Sequence, residues 1–91
     1  MKIIVDGYGK SITKRDNQIV IKENDKEIDF FIVNDISQIV ITGKGSITFD
    51  AMELLAEHNI DCLSLGWRGN ILYRIQSNES KNIKIRKEKY Y

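Results

Sequence analysis

No proline interrupts this sequence, and its 91 residues hold one cysteine, one histidine and one tryptophan. A single cysteine, Cys62, allows no internal disulfide and no cysteine-based zinc site, which fits a reducing cytoplasm and leaves the fold to stand on its apolar core. Without proline, no strand is demoted by a missing backbone donor. Long apolar runs are missing too: the longest, such as residues 3–5 and 30–33, fall far short of the roughly 20 residues a membrane span needs. Asp6 breaks the first of them at once, so no signal peptide is read at the N-terminus. Net charge is also nearly absent. Fourteen basic against thirteen acidic residues give +1, so there is no global field to attract nucleic acid or an anionic membrane, and any charged partner must use a local patch. What the chain does have is 42% apolar residues, enough for one small domain with a modest core.

The first half carries a period of two. Residues 2–6, 10–14, 18–23, 27–33 and 36–42 read as short strands rich in isoleucine and valine, separated by Gly7-Tyr8-Gly9, by Arg15-Asp16-Asn17 and by Asn24-Asp25-Lys26. Gly43-Lys44-Gly45 ends the fifth. The period then changes to that of a helix over 48–58: Ala51, Leu54 and Leu55 recur at three-and-four spacing, Thr48 suits the N-cap, Ile47 and Met52 have the spacing of a hydrophobic staple, and Asn59 suits a left-handed stop. Residues 60–65 and 71–76 read as two further strands joined by Gly66-Trp67-Arg68-Gly69-Asn70. The expected fold is mainly β (α+β): a small β-sandwich of about seven short strands with one α-helix, over residues 1–76. Residues 77–91 differ in composition. They carry five basic and two acidic residues against nine and eleven in 1–76, and Ser77-Asn78-Glu79-Ser80 reads as a polar linker.

No catalytic constellation emerges from the residues. Gly43-Lys44-Gly45-Ser46 lacks the spacing of a phosphate-binding loop, and Gly7-Tyr8-Gly9 lacks the third glycine and the helix of a dinucleotide fingerprint. His58 sits at the helix end, where its ring suits the negative pole of the dipole better than a metal. Cys62 reads as core, and the acidic pairs Asp25 with Glu27 and Glu53 with Glu57 as solvated faces. The polar features that remain are Tyr8, Lys44, Trp67, Arg68 and Arg74. Aromatic and cationic groups of this kind stack on bases and hold phosphates, so these five are the candidate DNA contacts.

Order and spacing carry a resemblance. The hairpin, Asp35-Ile36-Ser37-Gln38-Ile39-Val40-Ile41, the glycine turn, the helix over 49–58, the strand ending Leu63-Ser64-Leu65 and the Gly69-Asn70 hairpin to Ile71-Leu72-Tyr73 follow one another in a series that resembles the N-terminal domain of the CRISPR-associated integrase. That family's endonuclease inserts new spacers during CRISPR adaptation. Asn82-Ile83-Lys84-Ile85-Arg86 is similar to the start of the helical domain that follows there. The resemblance implies a β-domain that makes a homodimer, and a missing helical domain in which a glutamate, a histidine and an acidic residue bind a divalent cation, magnesium or manganese, for cleavage and strand transfer. It also implies a cytoplasmic protein whose full-length form works with protospacer and repeat DNA and with a companion adaptation protein. By itself this 91-residue chain is then expected to hold no cofactor and to be no enzyme. Tyr8 matches the family's aromatic that brackets the end of the duplex. The alternative is a free-standing small β-domain that binds nucleic acid through the same five residues.

Overall fold

A computed structural model of the chain describes residues 1–66, 68–77 and 83–87, the side chains of 77 and 83–87 excepted. Its elements in chain order are β1 (Lys2–Asp6), β2 (Lys10–Arg15), β3 (Gln18–Glu23), β4 (Lys26–Ile32), a single 3-10 turn (Val33–Asp35), β5 (Gln38–Thr42), β6 (Gly45–Ile47), α1 (Phe49–Glu57), β7 (Asp61–Leu65), β8 (Ile71–Ser77) and β9 (Ile83–Lys87). The strands form two sheets: a five-stranded one in the order β1-β5-β7-β8-β9 and a four-stranded one in the order β4-β3-β2-β6. The mainly β sandwich with one helix is therefore the fold.

Local chemistry explains most of the elements. Asn24 and Asp25 both take the left-handed conformation (φ 52° and 65°), which a two-residue hairpin loop between β3 and β4 demands. Thr48 caps α1 by accepting a hydrogen bond from the Ala51 amide at 3.2 Å. At the other end Asn59 is left-handed at φ 55°, and its amide donates to the Ala56 carbonyl. Alternation sorts the faces: Ile3 and Val5 of β1 point into the core while Lys2, Ile4 and Asp6 are exposed. Ile12, Ile19 and Ile21 meet them from the other sheet, Ile39 and Cys62 from β5 and β7, and Ala51, Leu54 and Leu55 from the helix. No charged or polar residue is buried as a whole among the described residues, so this core is held by apolar contact.

Three details depart from the sequence reading. The structure has nine strands among the described residues, not about seven. Gly45–Ile47 is β6, although Gly45 reads as the end of a turn and Ile47 as a staple residue, and Ile83–Lys87, read as the start of a helical domain, is the edge strand β9, paired antiparallel with β8. Both corrections have a physical reason in what a local pattern can carry. A three-residue strand leaves no period to read, and the alternation Ile-Lys-Ile-Arg-Lys over β9 is too short to reveal a partner that lies across a separate polar stretch. Residues 78–82 and 88–91 of the expected linker and domain start lie outside the described residues.

Candidate nucleic-acid interface

Topology decides which side chains meet. β1, β5 and β7 are parallel neighbours whose last residues lie side by side, Asp6 opposite Thr42 and Thr42 opposite Leu65. The segments that leave them therefore emerge at one end of the sheet, within about 10 Å of one another at the usual strand spacing. Those segments carry Tyr8, Lys44 and Arg68.

The first two segments turn the same corner together. Residues 6–10 and 42–45 run parallel from the five-stranded sheet into the four-stranded one, where β2 pairs with β6, Lys10 opposite Gly45. Hydrogen bonding continues around the bend, from the Gly7 amide to the Thr42 carbonyl and from the Gly9 amide to the Lys44 carbonyl, each at 3.1 Å. Gly43 adopts φ +90°, and a Cβ there would stand 2.2 Å from the Gly7 carbonyl oxygen. Only glycine allows two chains to bend in such close contact.

Tyr8 stands on this corner with 74% of its surface exposed, which is costly for an aromatic with nothing on it and suited to stacking on a base or duplex end. Lys44 is exposed beside it. Lys10 donates its ammonium to the Asp6 carbonyl, and the Thr42 hydroxyl donates to the Asp6 carboxylate. Lys10, Lys44 and Arg68 thus gather near Asp6, with Glu23 opposite Lys10 in the sheet, so this end carries a local group of cations among charges of both signs. Arg68 lies exposed in the turn between β7 and β8. Trp67 lies outside the described residues. Arg74 stands apart from the loops, in β8 opposite Leu63, with its Nε buried and without a hydrogen-bond partner among the described residues. Sequence reasoning missed Lys10: its place at the corner depends on the β2–β6 pairing, which has no local signature.

The remaining reactive groups are accounted for by packing. His58 Nδ1 donates to the Leu54 carbonyl at 3.1 Å, since a carbonyl can only accept. Burial pushes the Cys62 thiol up to about 12, so it is neither a nucleophile nor a ready ligand. No three of His, Cys, Asp and Glu gather to hold a cation among the described residues. Among the described residues the divalent metal implied by the resemblance therefore finds no fitting donor set. No helix among the described residues is long and apolar enough to cross a membrane.

Between β6 and β8 the corner opens into a cleft of about 600 Å3. Ile41, Met52 and Ile75 contribute to its apolar lining, and Lys10 and Lys44 are its charged residues.

Comparison with known proteins gives a consistent picture. The family described as CRISPR associated protein Cas1 matches residues 3–91. A CRISPR-associated protein Cas1 of Methanobrevibacter ruminantium is 46% identical over 99% of this chain, which covers 27% of that protein. A CRISPR-associated endonuclease Cas1 of Archaeoglobus fulgidus is 34% identical over 99% of the chain and 26% of its own length. The chain thus spans about a quarter of the length of these curated relatives. Among solved structures, a Cas6-RT-Cas1–Cas2 complex shares the fold with a TM-score of 0.80 at 20% identity, over 87% of this chain and 9% of that one. A TtCas1–DNA complex does so with a TM-score of 0.62 at 18% identity, over 71% of this chain and 24% of that one.

Proposed function

Since this chain belongs to the CRISPR associated protein Cas1 family and is the N-terminal region of a CRISPR adaptation protein, we propose that it joins two copies of a spacer-acquiring endonuclease and integrase. The observation that carries this reading is the free edge of β4. Among the described strands it pairs only with β3, and Ile28, Phe30 and Ile32 along it are 50%, 49% and 49% exposed. An edge with three large apolar residues is a template for pairing, and soluble domains normally blunt such edges. A two-fold mate laid against β4 covers it, with the Arg15–Glu27 ion pair at the margin. The metal-dependent cleavage and strand transfer belong, in this reading, to a helical domain in the other three quarters of a relative's length, and the 91-residue chain itself has no nuclease activity. A companion protein of the Cas2 kind, in the cytoplasm, completes the assembly, by analogy with the Cas6-RT-Cas1–Cas2 complex that shares this fold.

Multi-angle light scattering tests the dimer. The chain is expected at twice its 10.6 kDa mass, and Phe30→Glu combined with Ile32→Glu is expected to weaken association at least about tenfold, roughly 1.4 kcal/mol, with unchanged circular dichroism. A strict monomer at millimolar concentration sinks the reading.

A second role rests on a separate observation, the convergence of Tyr8, Lys44 and Arg68 at one sheet end. We read this end as a contact for the end of a DNA duplex, with Tyr8 stacked on the terminal pair. Binding of a short duplex should weaken with salt, and Lys44→Ala should lower the salt slope by about one. A slope untouched by Lys44→Ala, with Tyr8→Ala equally silent, removes DNA from this surface.

A further inference from the structure

The cleft between β6 and β8 has a wall of an unusual kind. β6 ends the four-stranded sheet, with β2 on one side and, among the described residues, no strand on the other. The Lys44 carbonyl and the Thr48 amide both bond across toward β2, to Gly9 and Ile12. By strand alternation the backbone N–H and C=O groups of Gly45 and Ile47 point the other way, to the unpaired side. The opposite wall comes from β8 with Tyr73 and Ile75, and the floor from Ile41 and Met52. Free backbone donors and acceptors beside an apolar trough are what an added strand needs, and about 600 Å3 lies in the range of built binding sites.

Charge narrows the occupant. Among the described residues the cleft is lined by two lysines and no acidic residue. Lys10 already gives its ammonium to the Asp6 carbonyl, whereas Lys44 has no side-chain hydrogen bond or ion pair among the described residues. We propose that this cleft receives an extended segment of a partner protein, which pairs its backbone with β6, sets alternate apolar side chains into the trough and meets Lys44 with a carboxylate. This surface lies away from the β4 edge and does not depend on the dimer proposed there; it shares Lys44 with the duplex-end contact, so peptide and duplex compete for that ammonium.

Two fluorescent hexapeptides test it on the 91-residue chain: Glu-Val-Thr-Val-Thr-Val and the same peptide with lysine in place of glutamate. The acidic peptide should bind at least about tenfold more tightly, and Lys44→Glu should reverse that preference, a gain that a misfolded variant does not show. N-methylation of the peptide amides that face β6 should abolish binding, and amide exchange at Gly45 and Ile47 should slow when the peptide is added. Equal binding of both peptides, or indifference to N-methylation, overturns the proposal. Slowing of those amides by protein concentration alone gives the cleft to a second copy and also overturns it.

Discussion

Replacing Gly43 by alanine is expected to cost on the order of 4 kcal/mol of stability. Two terms combine. An L-residue at φ +90° loses about 1–2 kcal/mol against a relaxed backbone. The new Cβ would also stand 2.2 Å from the Gly7 carbonyl oxygen, backbone that cannot swing aside like a side chain. The two segments must separate, and the Gly7–Thr42 and Gly9–Lys44 hydrogen bonds go with them, each net about 0.5–1.5 kcal/mol. Gly69 supplies the control. It has a similar φ of +83° with nothing within 4 Å of its notional Cβ, so Gly69→Ala should lose only the backbone term. Urea unfolding of the two variants gives the difference, expected at about 2 kcal/mol or more. Equal losses would show that the close approach carries no weight.

The second large effect lies in the core. Leu55 is 1% exposed, on the face of α1 that closes the gap between the sheets, and Leu55→Ala should cost about 2–5 kcal/mol. For a domain of this size the whole stability is about 5–14 kcal/mol at ~0.05–0.15 kcal/mol per residue, so one such cavity removes a large share. Phe49, six residues earlier on the same helix and 79% exposed, should tolerate alanine within about 0.5 kcal/mol. Thermal unfolding of the pair distinguishes burial from helix propensity: similar midpoints for both variants would contradict the packing described.

How much of this is legible in the residues follows from the range of each interaction. The hairpin through Asn24 and Asp25, the Thr48 cap, the Asn59 stop and the buried Cys62 are local or periodic, and the sequence states them directly. The pairing of β1 with β5 and of β2 with β6 is not local, because parallel neighbours share no turn. For that reason Tyr8, Lys44 and Arg68 read as three isolated residues until topology brings their loops together, while Lys10 and the cleft beside β6 leave no trace in composition or spacing. Arg74 follows the loop residues by a few positions in sequence, but β8 carries it away from them to a place opposite Leu63.

The doubled corner also sets an order of events in folding. The β2–β3–β4 hairpins close across two-residue loops, which takes microseconds. Lys2 must find Gln38, and Lys10 must find Gly45, across more than thirty intervening residues. Pairings of such high contact order come late and place β-rich domains in the millisecond-to-second range. Tyr8 and Lys44 are therefore juxtaposed only in the last step, and a partly folded chain, whatever hairpins it has formed, presents neither the Tyr8–Lys44 corner nor the cleft.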